Sequence, residues 1–438
     1  MAVGVLARAA ARARVPVFPV VGAGAARAVQ DLRLRPEVEL VSTPRHATVL
    51  LVAGRVPRSL SRPLAQVHDQ VPHPRATVRW TGSPPGPDDV VSPATTGVGA
   101  DGDVVATIVS CHRGLLSGGR ASEDGMLPAE PPNPWRGVGP HGQGGEGMMG
   151  GTPYGRPMPM TADDRDGLML DQLSVRVGPF LPVLPPGLAL DVRLQGDVVQ
   201  RAGPVNVFRD DDEAPAGGRL DPAGVFERAS SEPVAVVDVE VARARHHLRW
   251  LAHALVVHGL PALAVRTLRL AFSAGPGQVR AVARLRRALA RAGVLGWAGA
   301  GVGRIEPDQL AGQCLGPVAR ATGIRVDARR DDPSYAGLGF EPITHSGGDA
   351  RGRLRQRLAE AEQALQLAAR ASAEGRLTEP GRVEGPRGVH VGGRTPTGVL
   401  VDLLPGLLEG LEWGQAVTAV TSLDLDMQEA APTPAEVR

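Results

Sequence analysis

Thr48–Ala53 reads Thr-Val-Leu-Leu-Val-Ala and is stopped by Gly54. Six residues without polar alternation cannot make a strand with one wet face. They suit a strand covered on both sides, as in a parallel sheet. Further strands are predicted at Val15–Val21, Val38–Val41, Ala76–Trp80 and Val104–Val109, with Ser61–Gln70 as a crossover helix. Strands alternating with helices predict an open α/β domain over residues 1–118.

Residues 117–165 break that pattern with Gly, Pro and Met, as in Gly144-Gly145-Glu146-Gly147-Met148-Met149-Gly150-Gly151. No strand precedes this stretch and no Lys-Ser/Thr follows it, so it is not a phosphate loop. Residues 119–168 are expected to be a linker or an extended arm. From residue 169 order returns. Leu173–Gly178 and Leu188–Gln200 alternate as a hairpin, and residues 209–232 are acidic and loose. Helices follow at Val239–His258, Ala262–Phe272, Val279–Ala292 and Arg351–Ala373, with closing segments at Val399–Leu411 and Thr418–Leu425. The second domain, 169–438, is therefore mainly α with a small antiparallel sheet.

Aromatics make up only 3% of the chain, so the core must be Leu, Val and Ala. All 48 basic residues are Arg, a bias ascribed to genome composition. Residues 1–80 hold twelve Arg against four acids. Such a face suits an acidic partner or acidic lipid, and the lack of interleaved aromatics makes nucleic acid the least suitable partner. Two cysteines, Cys111 and Cys314, are too few for a disulfide scaffold or a four-thiolate cluster, and a reducing cytoplasm is the simplest setting. No run of about 18 apolar residues predicts a membrane span. Met1–Arg14 lacks an apolar core and a small-residue cleavage site, and is read as part of the protein.

Three stretches of the second domain carry a family resemblance. Glu240-x-x-Arg243-x-x-His246-His247-Leu248 resembles a helix of the hydrogenase large subunit and of its counterpart in complex I, the NADH-quinone oxidoreductase. Gly316-Pro317-Val318-Ala319-Arg320-Ala321-Thr322-Gly323, with Asp327, Arg329, Arg330 and Asp331-Asp332-Pro333-Ser334-Tyr335, resembles the longest motif of that family. Glu384-Gly385-Pro386-Arg387-Gly388 is similar to its E-x-P-R-G-E loop. At the front, Val41-Ser42-Thr43-Pro44-Arg45-His46-Ala47-Thr48 and the apolar run to Gly54 resemble the family's partner, the small cluster-bearing subunit. The resemblance implies a fusion of small and large subunits: a flavodoxin-like open parallel sheet followed by a hydrogenase large-subunit-like domain.

The departures from the family concern its redox groups. The small subunit's early cysteines fall near Ala26 and Val29 and its middle one near Ser83 or Pro84, which leaves Cys111 alone at a vestigial cluster position. One thiolate cannot hold a tetranuclear cluster. In the large-subunit half, the acidic loop 209–232 replaces the first nickel-binding pair, and Ser422–Met427, without Cys, replaces the second. Leu181, in Gly178-Pro179-Phe180-Leu181-Pro182, stands where the quinone-site His of the complex I counterpart would be. Quinone and NAD binding are thus implied by the family alone, and neither an iron–sulfur cluster nor nickel is expected.

Glu240, Arg243, His247, Arg320, Asp327, Arg329, Arg330 and Arg387 are the candidate cavity residues, with no catalytic or metal role assigned. Arg320, Arg329 and Arg330 are expected to pair with Asp327, Asp331 and Asp332, and Glu240 with Arg243 at i,i+3. His246, His247, His253 and His258 hold no pair at i,i+4, so packed or capping histidines are expected rather than a metal site. Cys111 and His112, read on a strand, point to opposite faces, so Cys111 is expected as a packed thiol. The run Arg351-x-Arg353-x-Arg355-x-Arg357 is read as a solvated or partner-facing surface. The expected role is an architectural subunit of a membrane-associated complex, peripheral on the cytoplasmic face. Its implied partners are membrane subunits of a complex I-like or antiporter-type assembly, and iron–sulfur protein subunits. A quinone-reducing component and a free small-molecule-binding protein are the alternatives.

Overall fold

The computed structural model describes residues 13–82, 95–128, 160–163, 167–209, 224–310, 312, 316–381, 383–389 and 395–429. Cys314 lies outside them. The first domain holds β1 (Val15–Val21), α1 (Ala26–Asp31), β2 (Val38–Leu40), β3 (Val49–Ala53), α2 (Ser61–Gln70), β4 (Ala76–Trp80), β5 (Thr96–Val98) and α3 (Val104–Ser117). Its sheet runs β2-β1-β3-β4-β5, every neighbouring pair parallel. This is one of the two common doubly wound orders.

Burial on both faces explains the apolar run. Val17, Val49, Leu51 and Val78 pack with Val29 of α1 and with Ile108 and Leu115 of α3. Phe18, Val20, Leu50 and Val52 pack on the other side with Leu64 of α2. At the ends of β1 and β3 the chain makes tight turns. Gly54 has φ +74°, and a Cβ there would sit 2.4 Å from the Ala23 carbonyl oxygen.

Val104–Val109, predicted as a strand, is the start of α3. The carboxylate of Asp103 caps it by accepting from the Ala106 N–H at 2.9 Å, and Gly118 ends it in the left-handed conformation. Its buried residues Val104, Ile108, Cys111, His112 and Leu115 recur at helical spacing. Cap and periodicity together override the β-branched composition. Cys111 and His112 are consequently both buried on one helix, not on opposite faces of a strand.

The predicted linker also begins later than expected. Residues 119–128 are pinned to the first domain: Glu123 accepts from Thr77 N (2.7 Å) and Thr77 Oγ1 (2.6 Å), and Asp69 accepts from Met126 N and Leu127 N. Residues 129–159, the core of the predicted linker, are outside the described residues.

The second domain opens with an antiparallel meander, β6 (Met160–Asp163), β7 (Met169–Val177), β8 (Leu188–Gln195) and β9 (Val198–Asn206). The predicted single strand Leu188–Gln200 is two strands, because Gly196, at φ +61°, turns the chain between them. The helices are α4 (Val225–Ala229), α5 (Val236–Val257), α6 (Pro261–Ser273), α7 (Val279–Arg291), α8 (Val294–Trp297), α9 (Gly316–Arg320), α10 (Ala350–Ser372), α11 (Pro396–Leu408) and α12 (Trp413–Leu423). One core joins β8 and β9 to α11 and α12, and a second joins α5, α6, α7 and α10. The two domains meet where Asp31 accepts from Arg249 at 2.6 and 3.1 Å, and where Gly24 N donates to Gln428 Oε1 at 3.1 Å. Among the described residues no helix is long and apolar enough to cross a membrane.

Candidate functional site

The centre of the second domain is charged. α5 contributes Glu240, Arg243 and His247, α9 contributes Arg320, and α10 contributes Arg353, Gln356, Arg357 and Glu360, all of them buried. A turn adds Asp327 and Arg329, and a loop adds Glu384. Gly316 lets α9 reach that loop, because a Cβ there would lie 2.5 Å from the Arg387 carbonyl oxygen and φ is +54°.

Arg320 is the hub. Its Nε and one terminal nitrogen grip both oxygens of Glu360 at 2.7 and 3.0 Å, and the other terminal nitrogen meets Glu384 and Asp327, each at 2.9 Å. Arg329 holds Asp327 through two bonds (3.0 and 2.7 Å) and reaches Glu240 at 3.2 Å. Glu240 also accepts from Arg243 Nε (3.1 Å) and from the Tyr335 hydroxyl (2.6 Å). Arg243 completes the circuit by donating to the carbonyls of Glu384 (2.6 Å) and Gly385 (3.0 Å). A charge buried at this depth persists only when its partners satisfy it. Burial opposes ionisation of Glu360, but Arg320 overcomes it and holds that carboxyl well below the usual range. Glu384 moves the other way: burial and the neighbouring Asp327 raise it.

A second knot surrounds Asp424, which follows α12 at φ +61°, in the left-handed region. Its carboxylate lies 2.6 Å from His246 Nε2, 2.9 Å from Arg357 and 3.7 Å from Arg387. Burial alone would raise its pKa, yet His246, Arg357 and Arg387 together hold it well below the carboxylate range. Arg387 also meets Asp426 at 3.2 Å and Glu429 at 3.7 Å. His247 links the two knots loosely. It is buried, its Nε2 sits 3.4 Å from Glu360, and neither ring nitrogen makes a hydrogen bond. Burial pushes its pKa down to about 3, so the ring is neutral. Arg353 instead leans on neutral oxygens. It donates to Ser422 Oγ (2.9 Å), Gly348 O (2.6 Å) and Gly303 O (2.8 Å), and burial lowers its pKa to about 9.

Seven of the eight predicted cavity residues therefore belong to these two knots: Glu240, Arg243, His247, Arg320, Asp327, Arg329 and Arg387. Arg330 does not. It is exposed, because the turn at 328–330 aims Arg329 inward and Arg330 outward. Asp331 and Asp332 also stay out, and Asp332 instead caps the next turn through Ser334 N at 2.8 Å. The run of alternate arginines is not one solvated surface. Residues two apart on a helix lie on opposed sides and residues four apart share one, so Arg353 and Arg357 are buried while Arg355 is exposed. Glu360 is not among the sequence-predicted residues, although it lies three residues beyond Arg357 on the same buried side, and Asp424 is predicted only as part of the segment Ser422–Met427.

The segment Ser422–Met427 supplies Asp424, surrounded by His246, Arg357 and Arg387. Among the described residues no three His, Cys, Asp or Glu side chains are grouped to hold a metal ion. Cys111 is buried on α3, with Arg120 donating to its sulfur at 3.5 Å and Thr96 Oγ1 3.7 Å away. Phe180 and Leu181 pack against the apolar core.

No curated protein matches the chain. A chain of the membrane-bound sulfane sulfur reductase, an archaeal respiratory membrane complex, superposes with a TM-score of 0.42 at 17% identity, covering 59% of this chain and 98% of that one. Residues 278–388 match the family of the 49 kDa subunit of respiratory-chain NADH dehydrogenase, and that stretch contains Arg320, Asp327, Arg329, Arg353, Arg357, Glu360, Glu384 and Arg387.

Proposed function

We propose that this chain is an architectural subunit of a membrane-associated oxidoreductase complex related to complex I and the energy-converting hydrogenases, with no cluster or nickel of its own. The reading rests on Asp424: where the resemblance puts a pair of metal-binding cysteines, this chain has an aspartate locked by His246, Arg357 and Arg387. The match of residues 278–388 to the 49 kDa subunit family supports the kinship. The first domain takes the place of a separate small subunit, packed on the second through Asp31–Arg249 and Gly24–Gln428. Its partners are membrane subunits, and its seat is the cytoplasmic face of the membrane.

The test is affinity purification from solubilised membranes, followed by iron, sulfide and nickel assays on the complex and on the isolated chain. The reading expects membrane proteins in fixed ratio and substoichiometric metal on the isolated chain. About four irons per isolated chain would overturn it.

A further inference from the structure

From residue 241 to residue 305 the sequence has no acidic residue and eleven arginines. Arg243 is buried against Glu240, the exposed Arg245 donates to the Ala274 carbonyl, and the half-buried Arg249 pairs with Asp31. Arg304 pairs with Glu306. The other seven are exposed on α6 and α7. α7 sets Arg280, Arg284, Arg287 and Arg291 in a stripe, opposite the buried Val282, Leu285 and Leu289. α6 shows Arg266 and Arg269 and ends beside Phe272, which is 65% exposed. Among the described residues, Arg286 is the one of the seven that meets a carboxylate, Glu362 at 3.2 Å.

Like charges at i,i+4 repel, so the stripe on α7 weakens its own helix. An external anionic surface would relieve that repulsion. Protein interfaces are built round a buried apolar centre, and this face offers Phe272 and little else of that kind. Base stacking needs a row of aromatic platforms, which is absent here. A bilayer of anionic lipid needs only a field of positive charge and a shallow apolar wedge.

We propose that the exposed face of α6 and α7 lies on the headgroups of an anionic phospholipid bilayer, with Phe272 inserted at the acyl boundary. This rests on the reading of the chain as a membrane-associated subunit, and adds a direct lipid contact to its contact with membrane proteins.

The test is sedimentation of the purified full chain with protein-free vesicles. Vesicles containing phosphatidylserine should carry the protein down, vesicles of phosphatidylcholine alone should not, and about 0.5 M salt should release it. The quadruple variant Arg280→Gln, Arg284→Gln, Arg287→Gln, Arg291→Gln should bind about a hundredfold more weakly or worse. Phe272→Ser should bind about three- to tenfold more weakly. All five positions are exposed, and circular dichroism of each variant checks that it stays folded. Wild-type protein that ignores both kinds of vesicle, a quadruple variant that binds like wild type, or equally tight binding to duplex DNA at the same salt would each overturn the proposal. Membrane proteins that co-purify with a chain indifferent to vesicles would sink the lipid contact alone. Vesicle binding without such proteins would sink the subunit reading alone.

Discussion

Both domains bury aliphatic cores, but the second adds an extended network of buried charge. The parallel sheet buries aliphatic side chains on both faces, with Leu51, Val17 and Val49 fully enclosed. The helical domain buries Arg243, Arg320, Arg353 and Arg357 as deeply, and these are among its largest enclosed side chains. An aliphatic core is non-directional and tolerates exchange of similar volumes. An ionic core fixes which groups meet, and the removal of one partner strands the rest. The helical domain thus trades tolerance for a fixed register among α5, α9 and α10.

Arg320→Met should show the contrast most strongly. It strands Glu360, Glu384 and Asp327 and should cost about 3–5 kcal/mol, read as an early denaturant transition of the helical domain. A loss under about 1 kcal/mol would mean that water reaches the hub and that the core is not ionic in effect. Leu51→Ala in β3 should cost about 2–4 kcal/mol, with little dependence on pH or salt. A strong pH dependence of that loss would erase the distinction between the domains.

The third prediction concerns pH. Burial depresses His247 to about 3 in the folded state, against about 6.5 unfolded. Between those values the unfolded chain binds more protons, so the stability His247 allows is present above about pH 6.5 and is lost as pH falls toward 3. His247→Leu should change stability by about 1 kcal/mol or less at pH 7 and flatten the acid limb between pH 6 and 4 in urea titrations. An unchanged limb would assign that limb to other groups.

The aliphatic domain was largely legible in the sequence because burial on two faces leaves an uninterrupted run, as in Thr48–Ala53. The strand assigned to Val104–Val109 failed where composition and capping disagreed, and Asp103 decided it. In the helical domain the motif residues identified the hub, but the partners that close it lie far off in the chain. Arg320 meets Glu360 forty residues on and Glu384 sixty-four residues on. Neither distance has a local signature, and Arg353 and Arg357 looked like surface until helical phase was taken into account.

The hydrogen bond from Gly24 to Gln428 spans 404 residues of chain. During synthesis the turn after β1 must wait, uncapped, while everything between is made, at roughly 5–20 residues each second. For some tens of seconds the turn at the C-terminal end of β1 therefore stands open to the cell. A chaperone or a partner that engages the protein as it is translated would find that turn accessible then, and closed afterwards.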